Sequence, residues 1–176
     1  MNINKEISDS RIMPEDFVAF IEIEQGSKNK YELDKETGLI ILDRILYTST
    51  HYPMNYGFIP RTYCEDGDQL DVFVLCSQPI EKMSLVRCYP IGLIKMKDRD
   101  KADDKIIAIP FGDPQYNGYG DISELPIHIF EELKHFLQVY KQLEDKKVDV
   151  SNVLGAEEAK QVIVEAKQMY KENFND

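Results

Sequence analysis

The spacing of apolar residues changes partway along the chain, and the two spacings predict two kinds of structure. Short alternating or continuous apolar runs, which are typical of β-strands, occur between residues 17 and 109. They predict strands at residues 17–24, 30–33, 39–46, 72–76, 85–95 and 105–109. The first three are predicted to form a β-meander, because only short turns separate them. Two prolines interrupt the aromatic segment 52–60, which predicts an irregular connection that ends in a short extended piece.

After Pro126 the apolar residues recur at helical spacing and predict two amphipathic helices. The second covers about residues 156–170. The apolar side of the first helix is formed by Ile129, Phe130, Leu133, Phe136, Leu137, Tyr140 and Leu143. Strands followed by helices predict a single α+β domain, mainly β, whose sheet can close into a small barrel. Residues 1–13 and 171–176 are expected to be loose.

Composition narrows the classes of function. The chain has 176 residues, of which 43% are hydrophobic and 30% charged, as in globular proteins. A net charge of −11 argues against binding to nucleic acid or to an anionic membrane, since both depend on basic surfaces. No apolar run approaches the roughly 20 residues of a membrane span, and no signal peptide is visible. The three cysteines form no CxxC pair and are expected to be reduced thiols in a cytoplasmic protein.

The most unusual stretch places Asp66, Asp68 and Asp71 directly before the apolar run 72–75. Gly67 permits a sharp turn, so the three carboxylates can gather at the entrance of the strand. Such a cluster requires a cation, and oxygen ligands suit Mg²⁺ or Mn²⁺ better than Zn²⁺. A solvated turn is the alternative, because Asp and Gly are ordinary turn residues. A calcium-binding EF-hand loop is excluded, since its twelfth position would be Ser77 rather than Glu.

Other charged residues lie at positions where the apolar pattern of a strand does not predict a charge, or at the end of a helix. Glu22 interrupts an apolar strand, Lys30 and Glu32 share one strand face, and Arg44 lies inside another apolar strand. Lys141 follows Tyr140 at the end of the first predicted helix. Taken singly, each of these residues is more often an ordinary surface charge at the end of a strand or helix. Only their combination therefore indicates a functional site.

In combination they match a known pattern. The segment 66–72, Asp-Gly-Asp-Gln-Leu-Asp-Val, resembles the signature of the soluble inorganic pyrophosphatases that have an OB-like barrel. The resemblance runs in collinear order from about residue 14 to residue 145. It includes the segments 21–23, 30–32, 43–44, 52–57, 95–98 and 135–141. It implies a small closed OB-like barrel of about five strands, flanked by two C-terminal helices.

The resemblance also implies roles for particular residues. The implied metal ligands are Asp66, Asp71 and Asp103, with Asp98 and Glu32 for further ions. The implied phosphate-binding residues are Lys30, Arg44, Tyr56, Tyr140 and Lys141. Asp68 is implied as the general base, with Glu22, Tyr52 and Lys105 as supporting active-site residues. Asp103 is preferred to Asp100 or Asp104 because it lies five residues after Asp98 and two before Lys105, as in the family pattern.

The implied activity is Mg²⁺-dependent hydrolysis of inorganic pyrophosphate to two phosphates by direct attack of a metal-activated water. Seven of these residues are carboxylates and four are Lys or Arg, so the site has a net charge of about −3. Added pyrophosphate makes the charge more negative and calls for about three or four divalent ions. Mn²⁺ or Zn²⁺ are possible substitutes. The expected assembly is a homo-oligomer, with a hexamer favoured.

Some features depart from the family pattern or stay open. Gln69 and Glu24 stand where the family commonly has Pro, and residues 146–151 differ from a Trp-containing segment of bacterial members, which leaves the C-terminal packing open. The loop at residues 111–120 is expected to be a surface loop. His51, His128 and His135 are not assigned as ligands. The alternative functions are a non-catalytic metal- or phosphate-binding protein of the same fold and an OB-type nucleic-acid module, against which the acidic charge argues.

Overall fold

The fold is a mainly β α+β structure, seen in a computed structural model that describes residues 2–175. Its strands are β1 Ile12–Met13, β2 Asp16–Ile23, β3 Asn29–Leu33, β4 Ile40–Ile45, β5 Asn55–Ile59, β6 Leu70–Val74, β7 Leu85–Asp98, β8 Lys101–Ala102, β9 Lys105–Pro110 and β10 Val148–Gly155. Its helices are α1 Ile3–Glu6, α2 Ile127–Val139 and α3 Ala156–Phe174. Short 3₁₀ turns lie at Asp9–Arg11, Ile122–Glu124 and Gln142–Glu144.

Five strands close into a ring in the order β2, β5, β6, β9 and β7, with β7 pairing back to β2. This arrangement confirms the predicted closed barrel of about five strands and its flanking C-terminal helices. Strand β7 is long enough to pair also with β8 and β10 outside the ring. Its register against β9 shifts between Pro90 and Gly92, since proline has no N–H to give to the ladder.

Close packing of β2 against β5 depends on a glycine. A Cβ atom at Gly57 would lie 1.8 Å from the carbonyl oxygen of Phe20, which no side chain tolerates. Gly57 lies at the register shift between Ile21 and Ile23, where β2 bends over β5. The glycine therefore lets the barrel close at the strand that carries Glu22.

The two long helices cover opposite faces of the sheet. Phe73 of β6 packs into the core that contains Leu133 and Phe136 of α2. Its neighbours Val72 and Val74 pack into a second core that contains Ile163 of α3. This alternation follows the two-residue period of a strand, and it explains why the strands read as continuous apolar runs. No helix within residues 2–175 combines the length and apolarity needed to cross a membrane.

Several sequence predictions are corrected. The predicted β-meander is wrong, because β3 and β4 form a separate two-stranded sheet that does not pair with β2. Strand β10 was not predicted; it includes most of the divergent segment 146–151 and pairs with β7, which defines the C-terminal packing. The segment between β7 and β9 contains the short strand β8, which pairs with the end of β7.

The terminal segments make specific contacts within the part of the chain that the structure describes. Ile7 and Ile12 are buried, and the side-chain oxygen of Asn4 accepts a hydrogen bond from the backbone N–H of Arg61. The Tyr170 hydroxyl donates to the backbone oxygen of Asn4 at 3.2 Å. Helix α3 continues to Phe174 rather than ending near residue 170. Residues 1 and 176 lie outside the part that the structure describes.

Candidate active site

Most of the predicted site residues surround one cavity of about 560 Å³. It lies at one mouth of the barrel, between the acidic turn before β6 and the hairpin of β3 and β4. Twelve of the fourteen predicted residues line it: Glu22, Lys30, Glu32, Tyr56, Asp66, Asp68, Asp71, Asp98, Asp103, Lys105, Tyr140 and Lys141. Residues that are up to 119 positions apart in sequence, from Glu22 to Lys141, are thus brought together by the barrel.

Strand register places the central charges of this site. Strands β6 and β9 are parallel, and Asp71 lies directly opposite Lys105. The Lys105 ammonium donates to Asp71 at 2.7 Å and to Asp103 at 2.9 Å. Lys105 is only 2% exposed, so this cation is held between two carboxylates away from water. A tight turn at Gly67, whose φ is +85°, brings Asp66 to the same cavity.

Burial changes the acidity of the carboxylates near Lys105. Burial raises the pKa of Asp66, and the negative charge of Asp71 raises it further. Burial also raises the pKa of Asp103 to about 6, although the charge of Lys105 opposes the shift. The pKa of Lys105 itself would be lowered by burial, but the charges of Asp71 and Asp103 raise it well above its ordinary value. Carboxylates that are costly to ionise together are typical of a site that takes up cations.

Among the described carboxyl groups, Glu22 has the pKa that departs most from its ordinary value. Burial raises the pKa of Glu22 to about 8, and the negative charge of Asp71 contributes to this increase. A hydrogen bond from the backbone N–H of Leu33, at 2.6 Å, acts in the opposite direction and lowers the pKa. Glu22 is therefore largely protonated at neutral pH. It links the barrel to the hairpin, because Leu33 is the last residue of β3.

The donor set fits a hard divalent cation. All the acidic candidates offer carboxylate oxygens, and one oxygen of Asp98 is buried without a hydrogen-bond partner among residues 2–175. Within the same residues, no three His, Cys, Asp or Glu side chains already converge on one point. Lys105 lies between Asp71 and Asp103, where its charge offsets theirs. The three histidines are exposed and do not line the cavity.

Cations and phenols in the same cavity can bind an anion. Lys30 pairs with Glu32 and with Asp43, and Lys141 pairs with Asp98. Burial raises the pKa of the phenols of Tyr56 and Tyr140 well above the usual value, so both retain the proton that they can donate. Lysine and tyrosine donors of this kind suit phosphate oxygens.

Two predicted residues do not line the cavity. Tyr52 is buried, with its ring centroid 5.5 Å from that of Tyr56 and 4.9 Å from that of Phe136. It therefore supports Tyr56 from behind. The Arg44 side chain lies opposite Lys30 in the hairpin register and forms ion pairs with Asp43 and Glu144.

Sequence reasoning missed three residues that contact the site. Lys35, in the turn between β3 and β4, forms an ion pair with Asp68 at 2.7 Å. Asp43 contacts both Lys30 and Arg44. Glu144 contacts Arg44 from the turn that follows α2. Asp43 belongs to the resembling segment 43–44, which offered a signal, whereas Lys35 and Glu144 lie in charged turns that look solvated.

Carboxylates that suit divalent ions, beside Lys and Tyr donors that suit phosphate oxygens, are the composition expected of an enzyme that hydrolyses a phosphate compound. Comparison with known proteins makes the assignment specific: the model of the family Pyrophosphatase, inorganic pyrophosphatase, matches residues 19–171. The chain belongs to the inorganic pyrophosphatase family, which confirms the resemblance seen in the signature at residues 66–72.

Relatives and solved structures agree over nearly the whole chain. Soluble inorganic pyrophosphatase 2 of Chlamydomonas reinhardtii is 53% identical over 154 residues, which cover 88% of this chain and 80% of the relative. Inorganic pyrophosphatase of Aquifex pyrophilus is 44% identical over 170 residues, covering 95% and 96%. The crystal structure of inorganic pyrophosphatase from Thermus thermophilus superposes with a TM-score of 0.92 at 34% identity, covering 97% of this chain and 99% of that one. The Helicobacter pylori inorganic pyrophosphatase structure gives 0.89 at 37% identity, covering 94% and 99%.

Proposed function

We propose that this protein hydrolyses inorganic pyrophosphate to two phosphates. The observation that carries the proposal is that one cavity collects seven carboxylates, three lysines and two tyrosines of the predicted set. Family membership supports the same reaction, since the relatives are named inorganic pyrophosphatases. A protein that binds metal and phosphate without turnover would not need Asp68, an exposed acidic residue that is not among the predicted metal ligands.

Divalent ions, with Mg²⁺ preferred and Mn²⁺ or Zn²⁺ as substitutes, would be held by Asp66, Asp71 and Asp103. Asp98 and Glu32 would hold further ions. When bound, such ions supply positive charge against the carboxylates and the substrate, and they make a nearby water more acidic.

The chain's own residues supply the remaining chemistry. Asp68 is 62% exposed at its side chain and takes the proton from the water that attacks phosphorus. Lys30, Lys141 and the phenols of Tyr56 and Tyr140 donate to phosphate oxygens and stabilise the charge that grows on the leaving phosphate. The phosphate leaves directly, with no covalent bond to the enzyme. Arg44 adds a further cation, and Glu22, Tyr52 and Lys105 support the site.

The setting of the enzyme is also part of the proposal. The cytoplasm is supported by Cys64, Cys76 and Cys88, which are all free thiols. A homo-oligomer, with a hexamer favoured, is supported by large apolar side chains on the outer hairpin, where Leu39 is 62% exposed and Tyr47 is 60% exposed.

A substrate comparison with a matched variant tests the reaction. Phosphate release is measured with pyrophosphate, tripolyphosphate and ATP, each with Mg²⁺, Mn²⁺ or Zn²⁺, for the wild type and for Asp68→Asn. We expect pyrophosphate with Mg²⁺ to be the preferred combination. The variant is expected to lose about 10²–10⁴-fold in turnover, as for loss of a general base, with unchanged thermal unfolding. Near-normal turnover of the variant, or a wild type that binds pyrophosphate without releasing phosphate, would contradict the proposal.

A further inference from the structure

Glu144 is a carboxylate that lies in the protein interior although its neighbours suggest a solvated turn. Its side chain is only 6% exposed, whereas the adjacent Leu143 is 67% exposed. The next residue, Asp145, has a φ of +54°, a left-handed conformation that is uncommon for residues other than glycine. The turn after α2 thus directs an acidic side chain inward and an apolar one outward, the reverse of the usual arrangement.

The charge that Glu144 meets inside is that of Arg44. Its Oε1 atom lies 2.8 Å from Nε of Arg44, while its other cationic neighbour, Lys146, is 3.8 Å away. A buried carboxylate requires such a partner, because burial of an unpaired charge is costly. The side chain of Arg44 is 17% exposed, so both members of the pair are largely removed from water.

The protein leaves Nη2 of the guanidinium group without a hydrogen-bond partner among residues 2–175. Nη1 of Arg44 donates to Asp43, and Nε faces Glu144. Nε and Nη2 are both buried without a hydrogen-bond partner among residues 2–175, so Nε meets Glu144 as an ion pair rather than through a hydrogen bond. Since the guanidinium group is planar, fixing two of its nitrogens fixes the direction in which the third one points. Asp43 also contacts Lys30, which lines the cavity, so Arg44 adjoins the proposed phosphate site.

We infer that Glu144 is a positioning residue that orients Arg44 for the substrate phosphate. The inference rests on the proposed function, and it concerns substrate binding rather than the bond-breaking step. The β3–β4 hairpin has no strand pairing with the barrel sheet, whereas Glu144 belongs to the turn just after Tyr140 and Lys141. The Glu144–Arg44 pair therefore connects the proposed phosphate-binding residues of the hairpin to those at the end of α2. This contact holds the two sets of residues in a fixed relative position.

The first test is Glu144→Gln, which keeps the side-chain size and removes the charge. We expect KM for pyrophosphate to rise about tenfold while kcat stays within about twofold, as for loss of the charged partner of Arg44. Binding of imidodiphosphate, a non-hydrolysed analogue, should weaken by the same factor in calorimetry. The matched control is Glu157→Gln, which removes the same charge from an exposed pair with Lys160 and should change neither quantity. An unchanged KM for Glu144→Gln would overturn the inference.

The second test separates an effect through Arg44 from a general effect on the fold. In an Arg44→Ala background, adding Glu144→Gln should change KM by less than about twofold, because the residue to be positioned is already absent. A full tenfold loss in that background would mean that Glu144 acts by another route. A wild type that binds imidodiphosphate but releases no phosphate would contradict the proposed function instead, and the binding comparison would still decide the role of Glu144.

Discussion

The two sides of the cavity are built differently. On the barrel side, Asp71 and Lys105 lie opposite each other on hydrogen-bonded parallel strands, and the lysine is buried. On the hairpin side, Lys35 and its partner Asp68 are 65% and 62% exposed, and β3 and β4 pair only with each other. Charge pairs in water contribute little, whereas buried ones are costly to break. The Asp71–Lys105 pair is therefore expected to be sensitive to the loss of one partner, and the Lys35–Asp68 pair tolerant of it.

The largest effect on stability is expected when the buried cation is removed. Lys105→Met leaves Asp71 and Asp103 without their shared partner. In metal-free protein we expect a loss of about 3 kcal/mol in the free energy of unfolding, as for a buried pair that loses one member. For a chain of this size, that corresponds to a Tm lower by roughly 6–12 °C.

The control for this variant is Lys101→Met, which removes an exposed lysine from β8. Its Tm should stay within about 2 °C of the wild type, as for most surface substitutions. Equal Tm values for Lys105→Met and Lys101→Met in the presence of EDTA would mean that the buried lysine matters no more for stability than an exposed one. That result would contradict the contrast between buried and exposed charge pairs.

A smaller effect is expected from the pH dependence of Glu22. Its pKa in the folded protein is about 8, against an ordinary value of 4.5. Between these values the folded protein keeps a proton that the unfolded chain releases, so the free energy of unfolding falls as pH rises. Relative to Glu22→Gln, which has no such proton, the metal-free wild type should lose about 2 kcal/mol between pH 5 and pH 6.5, which corresponds to a Tm lower by roughly 4–8 °C. Parallel Tm curves for the two proteins would show that Glu22 is not held protonated.

The smallest effect is expected on the hairpin side. Lys35→Ala removes the exposed pair with Asp68 and should lower the free energy of unfolding by no more than about 1 kcal/mol. The difference from wild type should disappear at 1 M NaCl, where the Debye length is about 3 Å. A loss as large as that of Lys105→Met, measured by the same thermal unfolding, would mean that the hairpin is as tightly coupled as the barrel.

The same contrast explains how far the sequence could predict the structure. Barrel strands β2, β6 and β9 are continuous apolar runs, and the acidic turn before β6 stands out against them, so both were predicted. The short turns around β3 suggested a meander, but sequence alone does not say whether a hairpin pairs with the preceding strand. Strand β10 carries polar residues at Asp149, Ser151 and Asn152, which hide its pairing with β7.

The site residues were predicted from the combined pattern, but their contacts were not. The pairing of Asp71 with Lys105 depends on a parallel register between strands 34 residues apart, which no local period reveals. Glu144 lies in the charged run 144–147, where its inward direction depends on the backbone of a single turn. Local patterns predict elements, whereas contacts between distant elements require the fold.

The central claim is that the acidic cavity is too negative to act on a polyanion until divalent cations offset its charge. The most direct measurement is phosphate release from pyrophosphate by EDTA-treated, dialysed protein as Mg²⁺ is added back. The account predicts turnover near background without Mg²⁺ and full recovery as Mg²⁺ increases, with thermal unfolding confirming that the metal-free protein is folded. Undiminished turnover by folded protein in excess EDTA would contradict it.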